Sequence, residues 1–139
     1  MSKKKYLCIL LLLLFFVSVA YGESTPDIQE GQWQITMEME IPTMPMKMPP
    51  TTYNQCITKK DVIPQGTNQN GACKQNDVTI KGNTVTWVVI CDSTGGQMTG
   101  KGSITYHKNK MEGTMTTEGQ GVKMISHFKG HRLGDCVSK

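Results

Sequence analysis

The chain has 139 residues and a formal net charge of +4, a length that suits one domain and is short for two ordinary ones. Three lysines (Lys3, Lys4, Lys5) sit in an N-terminal segment that reads as a leader; without it 12 basic residues (15 − 3) face 11 acidic ones, about +1. No basic face is needed to explain that balance, and nucleic-acid binding loses its main sequence support.

Residues 1–22 have the pattern of a secretory signal peptide: the lysines, an apolar run from Leu7 to Ala20, then small residues at Ala20 and Gly22. The run is short for a bilayer span, which takes about 20 apolar residues, so cleavage is the expectation, with no membrane span afterwards. Residues 23–139 then form a single β-rich domain, periplasmic or secreted, where thiols oxidise.

From Gln32 to Ile41 apolar residues alternate with polar ones. Trp33, Ile35, Met37, Met39 and Ile41 share one face, the period of a strand buried on one side. Pro42, Pro45, Pro49 and Pro50 exclude a helix or a central strand from the next stretch. Thr51 to Thr58 resumes as a short strand carrying Tyr53 and Cys56. Lys59 to Gly71 is polar and turn-rich and reads as a loop, with one helical turn near Lys59–Ile63.

A hairpin follows, with Val78 and Ile80 leading into Gly82-Asn83 and Val85, Trp87 and Val89 leading out. Asp92 to Gln97 turns, and Met98, Ile104 and Tyr106 then alternate with polar residues as far as His107. Lys108-Asn109 reverses the chain into a strand with Met111 and Met115 on one face. Glu118 to Gly121 turns again, and Val122, Met124 and Phe128 continue the apolar face. The prediction is all-β, an antiparallel meander of about seven strands: a curved sheet, an open barrel or a sandwich, with a barrel-like meander favoured over a Greek key. Gly100, Gly102, Gly113 and Gly130 fall at inward positions, where glycine permits a sharp bend or a close approach. A mixed Met and Gly interior is also a route to a deformable cavity.

Cys56, Cys73, Cys91 and Cys136 remain after the leader, an even set that in an oxidising compartment forms two disulfides by one of three pairings. Cys73–Cys91 is preferred because the pair flanks the hairpin, which leaves Cys56–Cys136. Strict pairing about Gly82-Asn83 sets Cys91 opposite Lys74, so the first bridge needs a bulge in the hairpin. A four-thiolate metal site is disfavoured by the absence of any C-x-x-C pair.

Two clusters bear on chemistry. Met44, Met46 and Met48 lie on one face of an extended chain, about 6.6–6.8 Å apart per step, and thioethers select Cu(I); a hydrophobic flap is the alternative. His127 and His131 are four residues apart, about 13 Å on a strand and too far for one ion; with His107 they read as polar-face histidines. No serine sits in a Gly-x-Ser-x-Gly elbow, and Gly95-Gly96 precedes a strand, so no enzyme signature emerges.

Several separated motifs, in order, resemble the domain-of-unknown-function 3617 family of small exported bacterial proteins. They begin with Gly31-Gln32-Trp33-Gln34-Ile35-Thr36 and Met39-Glu40-Ile41-Pro42. The tract Met44-Pro45-Met46-Lys47-Met48-Pro49-Pro50 and Gln55-Cys56-Ile57-Thr58 come next. Met98-Thr99-Gly100-Lys101-Gly102, Met111-Glu112-Gly113-Thr114-Met115 and Gly134-Asp135-Cys136 complete the set. The resemblance implies an exported β-rich domain with paired cysteines and no established activity, and it carries over no catalytic or binding residues.

The function expected from the residues is that of a non-enzymatic envelope module binding a small apolar ligand or a protein partner, with no cofactor. Trp33, Met37, Met39, Tyr53, Trp87, Tyr106 and Phe128 are its expected lining. Two alternatives stand beside it: Cu(I) binding by Met44, Met46 and Met48, and a structural module whose sheet edge pairs with another envelope protein.

Overall fold

A computed structural model of the chain describes residues 25–44, 48–64 and 73–137. The leader, Met46 and most of the loop before Cys73 lie outside the described residues. Seven strands occur among the described residues: β1 (Gly31–Glu40), β2 (Thr51–Ile57), β3 (Cys73–Lys81), β4 (Thr84–Ser93), β5 (Gly96–His107), β6 (Lys110–Gly119) and β7 (Val122–Gly134). They form one antiparallel sheet in the order β2-β1-β7-β6-β5-β4-β3. From β3 to β7 the chain is a plain meander. β1 then adds to the free edge of β7, so β2 and β3 are the two edges and the sheet is not closed.

Alternation decides which face is buried. Trp33, Ile35, Val85, Trp87, Val89, Ile104, Tyr106, Met111, Met115 and Phe128 are buried on the inner face, and the residues between them face outward. The sheet curls around that face. Trp33 on β1 and Tyr106 on β5 are three strands apart, about 14 Å on a flat sheet, yet their rings meet edge to face with centroids 5.9 Å apart.

Glycine sits where the curl brings large side chains over the backbone. A Cβ on Gly102 would lie inside van der Waals contact of the Trp87 ring, and one on Gly100 would lie 2.6 Å from Val89. The inward glycines are thus receptacles for neighbouring side chains.

The Gly82-Asn83 turn closes β3 on β4, with Gly82 at φ 56°. The pairing runs Lys81 to Thr84 and Thr79 to Thr86, then shifts by one residue so that Cys73 faces Cys91. The predicted bulge therefore exists, at Asp77–Val78 opposite Trp87, and Asp77 takes φ 50° to make it. It turns Val78 outward, 49% exposed. Val122 is likewise exposed at the tip of β7, beyond the reach of the core.

Both predicted disulfides form. Cys73–Cys91 ties the edge hairpin, and Cys56–Cys136 ties edge strand β2 to the segment after β7, with Cα atoms 5.4 Å apart. They point to an oxidising, extracytoplasmic environment. Among the described residues no helix is long and apolar enough to cross a membrane.

The loop after β2 differs from expectation. In place of a helical turn, Thr58 and Asp61 form an antiparallel bridge, and the Asp61 amide donates to both the carbonyl and the hydroxyl of Thr58. A side-chain acceptor three residues back competes with helical pairing. Val62, Ile63 and Pro64 are then buried in the core, although the stretch as a whole is polar.

Candidate functional site

Strand register lays the inner face out in rows that run across the sheet. One row holds Tyr53, Ile35, Gly130, Met111 and Tyr106. The next holds Met37, Phe128, Gly113, Ile104, Val85 and Ile80. A third holds Met39, Ser126, Met115, Gly102 and Trp87, and a fourth Met124, Thr117, Gly100 and Val89. Beyond it Met98 faces Cys91, which faces Cys73.

The two ends of this face are built differently. The end holding Trp33 and Tyr106 is sealed: Ile28 and the loop residues Val62, Ile63 and Pro64 are buried against it. The Trp33 indole donates to the Gln29 carbonyl (3.1 Å), and the Tyr106 hydroxyl donates to the Val62 carbonyl. Burial, with the Asp61 carboxylate and Tyr53 adding to it, holds the Tyr106 phenol well above its usual value of about 10.

The other end carries methionines. Met37, Met39, Met98 and Met124 are half-buried there, around a buried floor of Trp87, Met115 and Ser126. Trp87 Nε1 is buried and has no hydrogen-bond partner among the described residues. Met48, Pro49 and Pro50 line a groove of about 480 Å3 with Glu38, Met39, Glu40 and His127.

The seven lining residues predicted from sequence therefore share the inner face but divide between its ends. Trp33, Tyr53 and Tyr106 belong to the sealed end, and Met37, Met39, Trp87 and Phe128 lie on the methionine side. Met98, Met115, Met124 and Ser126 join the second group. Alternation by itself explains these three methionines as core, and only the register places them beside Met39.

Of the methionine tract, Met44 is 53% exposed and Met48 lines the groove; Met46 lies outside the described residues. His127 and His131 both lie on the outer face of β7, and His127 Nε2 is 3.5 Å from a Glu40 carboxylate oxygen. A second groove, lined by Thr36, Glu38, His127 and Lys129, lies on this polar face.

The fold and this site define a disulfide-braced, single-sheet β domain with one sealed and one methionine-lined end. Residues 28–136 match the family described as protein of unknown function (DUF3617), and the chain belongs to it. No curated protein and no solved structure matches the chain.

Proposed function

We propose that the chain is exported through its N-terminal leader and serves the cell envelope as a non-enzymatic binding module. It holds a small apolar ligand at the methionine-lined end of its inner face. The observation that carries this reading is the asymmetry of that face: four methionines stay half-buried at one end, whereas a loop and Ile28 seal the other. Concave, largely apolar faces are common ligand sites, and unbranched methionines re-pack around varied apolar shapes. The two disulfides brace the scaffold near both edges of the sheet, and Cys73–Cys91 holds the strand end beside Met98.

A thermal-shift screen of the oxidised protein against lipids and hydrophobic metabolites tests the reading. Apolar compounds are expected to raise the midpoint, and Met124→Lys is expected to abolish the rise by placing a charge among the methionines. A screen without hits, or hits indifferent to Met124→Lys, refutes it.

A further inference from the structure

The two tryptophans of the inner face differ in one respect. Trp33 Nε1 has an acceptor in the Gln29 carbonyl. Trp87 Nε1, equally buried, has none among the described residues. A buried N–H without an acceptor is unfavourable, and such groups in native proteins call for an explanation. The indole occupies the space left by the missing side chain of Gly102, with Cζ2, Cε2 and Cη2 nearest to it, and Val85 and Val89 flank it on the same strand. The ring is held, and its donor is fixed with it.

The position of that donor is informative. Trp87 ends the row that runs through Gly102, Met115 and Ser126 to Met39, at the methionine side of the face. Met124 and Met98 belong to the rows just beyond. Trp87 and Met115 form the buried floor beside these methionines, so an apolar chain among them lies next to the residue that carries the unpartnered donor. Methionine is the side chain best suited to part above a buried group and close again.

Resting on the function proposed above, we infer that Trp87 is the polar anchor of the site and that the ligand is an amphiphile: an acyl chain whose carbonyl or carboxylate oxygen accepts the Trp87 Nε1 hydrogen bond. The donor selects for an acceptor group and gives nothing to a chain of the same length that lacks one. Free fatty acids and singly acylated lipids share this chemistry, the first through a carboxylate and the second through an ester carbonyl.

Three probes test the inference on the oxidised chain: dodecanoate, a dodecanoyl lysophospholipid, and dodecylammonium, which has the same chain and no acceptor. With the indoles labelled with nitrogen-15, dodecanoate or the lysophospholipid is expected to move the Trp87 indole N–H resonance downfield and leave that of Trp33 in place. Whichever of the two does so identifies the source of the acyl group. Trp87→Phe is expected to weaken that ligand about tenfold, the equivalent of about 1.4 kcal/mol, and to leave dodecylammonium within twofold. The inference is overturned, with the proposed function intact, if the amphiphiles bind while the Trp87 resonance stays still, or if Trp87→Phe weakens all three alike. Failure of all three to bind the wild-type protein overturns the proposed function and this inference together. The resonance measurement needs no variant, so it decides the matter even where Trp87→Phe does not fold.

Discussion

Gly102 offers the sharpest test of how the inner face is packed. A methyl group there would lie inside van der Waals contact of three atoms of the Trp87 ring, Cζ2, Cε2 and Cη2. The ring has little room to retreat, because it is buried and flanked by Val85 and Val89. Gly102→Ala restricts the unfolded chain, which favours folding by about 0.4–1 kcal/mol. Overpacking a filled core costs about 1–3 kcal/mol. With three ring atoms obstructing, the upper part of that range applies and the net loss is about 2 kcal/mol. Urea denaturation of the oxidised protein measures it as a midpoint lowered by about 1 M at unchanged slope. The same substitution in a Trp87→Leu background removes the obstruction, and its cost is expected to fall below about 0.5 kcal/mol or to change sign, a coupling read by the double-mutant cycle. An equal cost in both backgrounds, or a neutral Gly102→Ala, refutes the packing argument.

Other predictions follow from the braces and the sealed end. Replacing Cys56 and Cys136 by serine is expected to cost more than replacing Cys73 and Cys91. The separations of 80 and 18 residues correspond to about 4.5 and 3.2 kcal/mol on the chain-entropy account, and the order of the two urea midpoints checks it. Tyr106→Phe leaves the buried Val62 carbonyl without its donor and is expected to cost about 1–3 kcal/mol in the same assay. Because the folded protein holds the Tyr106 phenol protonated above the value it has when unfolded, the unfolded state releases the proton first as pH rises past about 10. Stability therefore falls above that pH, by at most about 1.4 kcal/mol per pH unit from this group, and Tyr106→Phe is expected to flatten the alkaline slope. Under dilute peroxide, peptide mapping is expected to find Met44, 53% exposed, oxidised well before Met111, 3% exposed; the reverse order refutes the burial pattern.

Much of the fold was legible because a strand's side-chain period is two. Trp33, Ile35 and Met37, then Val85, Trp87 and Val89, announce their strands and their buried face without any other signal. Gly82-Asn83 fixes the hairpin, and the one-residue mismatch between that turn and Cys73–Cys91 foretells the bulge at Asp77. Alternation says which way a side chain points and nothing about which strand lies beside it. The pairing of β1 with β7 was therefore not readable, nor was β2 as an edge. Val62, Ile63 and Pro64 were missed because three apolar residues among lysines, asparagines and glycines leave no period, and they enter the core as a plug in a gap that exists only after the sheet curls. The site suffered from the same blindness: the seven lining residues were read as a single set, and only cross-strand register separates the Trp33–Tyr106 end from the Trp87–Met39 end.

The seam between β1 and β7 has a consequence for how the protein comes into being. One long edge of the earliest strand finds its partner only in the latest, so local hairpins alone leave Trp33 and Ile35 uncovered. The core closes when roughly a hundred intervening residues have been brought round, a non-local step of the kind that slows folding. A chain emerging from its amino end would thus stay pliable until nearly all of it had appeared, and the Cys56–Cys136 bridge would clasp β2 to the segment after β7 only once that last strand had arrived.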